Sequence, residues 1–235
     1  MAPSARKHAA STFRRSIARS NELHATYLGN PASFASYDGF TRWQADYMLP
    51  FFSDLLEPEG YAEAVDFVVS DLCGVGVSER DHDIQRATPV IVRSLPTQAL
   101  EAAAAAVELN AAALEINLGI WRTLLVDERL PQVIEEKAYS DACRSVSSFD
   151  ECMELVGLAV TLGETLKTLV RMPLIGGLLR TMRLPAQVAG YGALQEFLET
   201  GYLTFRRISD IDRFLDQLGT RLDQVFDHIY HAPGT

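Results

Sequence analysis

Two spacings in this chain join residue types that bind metals, Glu79-x-x-His82 and His228-x-x-His231. A carboxylate-bridged dimetal site in a helical bundle needs Glu-x-x-His on two helices plus two further glutamates. The chain contains Glu-x-x-His once. Glu79, Asp81, His82 and Asp83 therefore read as the charged first turn of a helix, where carboxylates meet the positive end of the dipole. Asp227 and His231 fall in a row opposite an apolar stripe, the signature of a solvated face; a metal needs an inward, supported site. Nucleophilic catalysis finds no better footing. There is no Gly-x-Ser-x-Gly elbow, and Cys73, Cys143 and Cys152 have no histidine beside them in sequence. No motif implies a cofactor, and the expectation is a non-enzymatic protein. A metal- or cofactor-dependent enzyme with scattered ligands is the alternative.

The stretch "FVVSDLCGVGVSERDHDIQR" holds Gly74-Val75-Gly76, but it follows a predicted helix and not the strand a dinucleotide fold requires. Gly74 is expected as the residue after a helix end, in the left-handed conformation. Ser78-x-x-Asp81 is expected to cap the next helix, with Asp83 and Arg86 forming a surface bridge.

One stretch stands out by charge. Residues 165–195, "TLKTLVRMPLIGGLLRTMRLPAQVAGYGALQ", contain no acid, where the overall acid frequency predicts about four. They carry Lys167, Arg171, Arg180 and Arg183 among leucines, methionines and glycines. An apolar helix with basic residues can lie on an anionic membrane surface or line a pocket for an anionic amphiphile. Gln195, Asn110 and Asn117 are polar residues on apolar faces, and buried amides must be hydrogen-bonded. Lys167, Arg171, Arg180, Arg183 and Gln195 are the expected ligand-binding set.

These residues must be positioned by helices, because a period of three to four residues dominates the chain. Apolar stripes run from Tyr37 to Leu55, with a break at Pro50, and from Tyr61 to Leu72. The longest helix is predicted from Pro96 to about Val126, striped by Leu100, Ala104, Val107, Ala111, Leu114, Leu118, Trp121 and Leu125. Ser148-x-x-Glu151 boxes a helix through Val170, Pro185 is expected to open the next, and Ser209 to cap the last. Neither strand periodicity nor a hairpin signal occurs. The expectation is an all-α chain, one bundle-like domain of about eight to ten helices over residues 21–235. Residues 1–20 hold five basic residues and no acid. They are read as a basic N-terminal segment, frayed or helical with Ser11 as a cap, or as a transit peptide.

At 235 residues and net charge -10 the chain lacks the basic face of a nucleic-acid binder. No apolar run is expected to span a bilayer, although peripheral membrane contact fits the basic stretch. Three cysteines without a Cys-x-x-Cys pair suggest reduced thiols and a cytoplasmic location. An unidentified protein or an anionic amphiphile is the expected partner, with a structural homo-oligomer as a further possibility.

"FVVSDLCG" resembles the "FFLEELYG" motif of a family of uncharacterised bacterial helical proteins, matching at Phe67, Leu72 and Gly74. "RWQADYMLPFFSDLL" before it, and "MRLPAQVAGYGALQEFLETGYLTF" near the C-terminus, extend the resemblance over about residues 42–215. It implies a helical fold and a bacterial source, and brings no activity or site residues.

Overall fold

The computed structural model describes residues 2–56, 61–67, 77–127 and 129–231. Among them the chain forms ten α-helices and no strand: α1 Ala2–Tyr27, α2 Pro31–Met48, α3 Tyr61–Asp66, α4 Val77–Ser94, α5 Thr97–Leu124, α6 Glu136–Val146, α7 Phe149–Val170, α8 Pro173–Val188, α9 Gly192–Arg207 and α10 Ile211–His231. A 3-10 segment, Leu49–Leu55, follows α2 where Pro50 breaks the α-helical ladder. The all-α expectation holds.

Helix α5 is the spine. Its predicted stripe is buried from Leu100 to Trp121, and its faces meet α1, α6 and α7. By length and composition it could also cross a bilayer, contrary to the reading that no apolar run is long enough. Its alanines raise the mean hydropathy, while Glu108 and Glu115 pair across to Arg15 and Arg19 of α1. The basic residues of the first segment thus sit on a continuous helix. Ser11 lies inside α1 as an exposed residue and not at its start, while Ala9, Ala10, Phe13 and Ile17 are buried.

The capping box at α7 is present in both directions: Ser148 Oγ accepts from the Glu151 amide at 3.2 Å, and Glu151 Oε2 accepts from the Ser148 amide at 2.7 Å. Losing the Ser148 hydroxyl in Ser148→Ala should cost about 1 kcal/mol, read as a lower urea midpoint with unchanged slope. At the last helix the cap is Asp210, not Ser209, because Asp210 Oδ1 accepts from the Arg213 amide at 3.1 Å. Ser and Asp are both good caps, and one residue of register decides between them.

Two prolines sit inside helices, Pro89 in α4 and Pro185 in α8. Pro185 therefore does not open α9, as its sequence context suggests. The real break comes at Gly190, whose φ of +76° turns the chain between α8 and α9. A positive φ suits glycine, which has no Cβ to clash. The turn is clamped from α4: Arg86 donates to the carbonyls of Gly190 and Ala189 at 3.3 and 3.4 Å and stacks over Tyr191. Buried Asp83 accepts from the Leu194 amide at 3.3 Å, capping the start of α9 from a different helix. Asp83 and Arg86 do form the expected bridge, at 3.9 Å, with Asp83 buried, and the same two side chains hold the α8–α9 corner. Gly74, and the side chains of Ser78, Glu79, Asp81 and His82, lie outside the described residues, as does Cys73.

Candidate anion-binding cleft

Helix α8 packs chiefly on α9 and more lightly on the end of α7. The approach is close because α8 presents Gly176 to α9; a Cβ there would stand 2.5 Å from Tyr202 Oη. Beside this contact the helices diverge into a cleft of about 620 Å³. Arg171, Arg180, Arg183 and Arg206 line it with the single carboxylate Glu199, and Tyr202 and Leu203 complete a wall. Four guanidinium groups against one carboxylate leave a local excess of positive charge on a chain whose net charge is -10.

The arginines are not equivalent. Arg183 grips Glu199 through Nε at 3.1 and 3.0 Å and Nη2 at 2.6 Å, a forked pair. Arg206 lies over the Tyr202 ring at 5.9 Å and donates to its hydroxyl at 3.5 Å. Arg171, just past the end of α7, and Arg180, on α8, are exposed and form no ion pair with the described residues. Arg180 adds to the positive field on Glu199 without a hydrogen bond to it, and both exposed guanidinium groups can meet an anion. The hydrogen bonds from Arg183 hold the Glu199 carboxyl below the usual carboxylate range; burial opposes this, and the Gln195 amide adds to it.

The other expected site residues divide. Gln195 is buried, and its Nε2 donates to the Leu179 carbonyl at 2.8 Å and to Glu199 Oε1 at 3.0 Å. It ties α9 to α8 and fixes the carboxylate that fixes Arg183, so it shapes the cleft from behind. Lys167 lies outside the cleft, bridging Glu164 of its own helix at 3.1 Å and Asp212 at the start of α10. Tyr202, Arg206 and Glu199 were not picked out by sequence reasoning. An i,i+4 spacing of tyrosine and arginine on one helix face was the signal available.

The spacing at His228 and His231 does not assemble a metal site among the described residues. His228 Nε2 meets Glu136 at 2.6 Å and its ring lies against Phe51, while His231 Nδ1 meets Asp227 at 3.0 Å and its ring lies against Phe149. The two histidines engage separate partners. Among the described residues no three His, Cys, Asp or Glu side chains converge on a common point.

Residues 27–234 match the sequence model of a domain of unknown function, DUF8198, from the start of the α1–α2 corner to beyond the end of α10. The chain belongs to the DUF8198 family. Neither curated proteins nor solved structures give a match. The DUF8198 match spans both walls of the arginine cleft and all of α2 to α10, so the cleft lies within the family's domain. The family brings a fold-length assignment and no chemistry, and function must be argued from the cleft.

Proposed function

We propose that this chain is a non-catalytic binding protein whose α8–α9 cleft takes the anionic head of an amphiphile, either free or in a membrane surface. The observation that carries the reading is the pair of exposed arginines, Arg171 and Arg180, which form no ion pair with the described residues, in a cleft whose other arginines are held in place. Guanidinium groups bind phosphate and carboxylate in forked geometry, so an oxyanion head is the chemistry that fits.

The apolar half of the ligand is supported by what surrounds the cleft. On α8, Leu174, Leu184 and Val188 are 65, 69 and 82% exposed, and Leu203 on α9 is also exposed. Apolar side chains on a helix that also carries cations suit the boundary between water and an acyl phase. A simple inorganic anion would use the arginines and leave these side chains in water.

Glu199 sets the strength. It competes with any incoming anion for Arg183, so Glu199→Gln should tighten binding of dodecyl phosphate severalfold, checked by isothermal titration. The same competition gives a pH dependence. The Glu199 carboxyl is depressed in the folded chain, so its pairing with Arg183 is intact at neutral pH and is lost as pH falls through and below the ordinary glutamate value near 4.3. Acidification to well below that value therefore releases Arg183 and should strengthen binding of a head group that stays ionised. Weaker binding in both experiments would place the anion elsewhere.

A further inference from the structure

A second feature lies deeper, between α5, α7 and α10. There the helices flank a partly open apolar pocket of about 180 Å³. It is larger than the dry apolar cavities of about 150 Å³ that take up benzene. None of its lining residues is charged. Small residues line the space, Ala106 and Ala113 on α5 and Ala159 on α7, while Leu215 of α10 packs directly on Gly163.

Apart from Asn110, two turns from Asn117 along α5, the polar lining groups lie toward the end where α2 and α6 meet the pocket. Gln44 Nε2 donates to Asn117 Oδ1 at 3.1 Å and to Tyr139 Oη at 2.9 Å, and among the described residues no donor meets the Gln44 carbonyl oxygen. Beyond Tyr139 lie Cys143 and a cluster in which Tyr230 Oη meets Ser147 Oγ at 2.7 Å and Cys152 Sγ at 3.3 Å. Burial pushes the Cys143 thiol up to about 12 and the Tyr139 phenol well above its ordinary range, so this end is neutral as well. A charged head group would find no countercharge among the lining residues.

We infer that this cavity is a second ligand site, taking a neutral, mostly apolar molecule with one hydroxyl-sized end that donates to Gln44. A medium-chain alcohol has this chemistry. The site is independent of the arginine cleft, which requires the charge that the cavity rejects.

The full chain should enhance the fluorescence of the neutral probe N-phenyl-1-naphthylamine. At pH 8, 1-decanol should displace the probe and decanoate at the same concentration should not. Ala113→Leu with Ala159→Leu fills the space from two half-buried positions; it should weaken probe and decanol binding at least tenfold with unchanged helical circular dichroism. Should the double variant fail to fold, Ala159→Leu alone and Gln44→Leu carry the test, the latter weakening decanol more than the probe. Decanol should also raise the melting temperature of the parent chain and not that of the filled variant. Arg171→Gln with Arg180→Gln should leave all of this unchanged, which separates failure here from failure of the cleft reading. Absent enhancement, displacement by decanoate as strong as by decanol, or a folded filled variant that binds like the parent would each overturn the inference.

Discussion

Replacing Arg171 and Arg180 together by glutamine is expected to weaken binding to phosphatidylglycerol-containing vesicles by about thirtyfold, with helical content and melting temperature near those of the parent chain. Each basic residue close to an anionic surface contributes roughly 1 kcal/mol, and 1.4 kcal/mol is a factor of ten, so two lost charges give that change. Both side chains are exposed and neither holds another element in place, so the fold should be indifferent. Glutamine is preferred to glutamate because Arg171 caps the C-terminal end of α7, where a carboxylate would oppose the helix dipole. Arg183 is a poorer target although it lines the same cleft. Its removal would leave Glu199 with only the Gln195 hydrogen bond and the field of Arg180, and a glutamate there would set two carboxylates face to face. Vesicles and monomeric dodecyl phosphate distinguish the two sources of the head group. Loss against both points to the head group itself, whereas loss against vesicles alone points to a membrane surface. Unaltered binding to both would remove the cleft from the account.

The largest expected stability effect lies where α3, α9 and α10 meet. Phe214 is fully buried, with Tyr61 edge-on at a ring separation of 5.1 Å and Phe205 of α9 edge-on at 6.4 Å. Tyr61 in turn donates to the Asp210 carbonyl at 2.8 Å, at the entry to α10. Phe214→Ala removes the ring at the centre of this group and should cost about 3–5 kcal/mol, from lost burial plus the cavity left behind. For a chain of this size that lowers the melting temperature by about 10 °C, measurable by calorimetry. Because Phe205 sits one turn from Tyr202, the same variant should also loosen the cleft wall and weaken dodecyl phosphate binding. A cost below about 1 kcal/mol would mean that the aromatic group is not packed as described.

Features that depend on neighbours in sequence were readable. The Ser148–Glu151 box, the break at Pro50, and the stripe of α10 through Phe214, Leu218, Val225 and Ile229 are each specified within one or two turns. What depends on space was not. The stretch 165–195 has no acid, yet Glu199 reaches back over α9 to Arg183, and Asp212 reaches Lys167 from the next helix. An acid-free run in sequence is therefore not acid-free in three dimensions, and only Arg171 and Arg180 keep the freedom the composition suggested for the whole set. Pro185 misled for a related reason. A proline removes one helical hydrogen bond, and on the exposed side of α8 the freed carbonyl can turn to water, so the helix continues to Val188. Gln195 was legible as a buried amide that must be bonded; that its partners are Leu179 and Glu199 required the fold.

The most direct measurement is isothermal titration of the unmodified chain with dodecyl phosphate, with dodecyl maltoside and inorganic phosphate as parallel ligands. An oxyanion head held by Arg171 and Arg180, with its chain along the exposed side chains of α8, predicts saturable binding of dodecyl phosphate that weakens with added salt. Inorganic phosphate should bind much more weakly, and the uncharged maltoside should not compete. Equal binding of dodecyl phosphate and dodecyl maltoside, or no binding of dodecyl phosphate below its micellar range, would contradict the proposal.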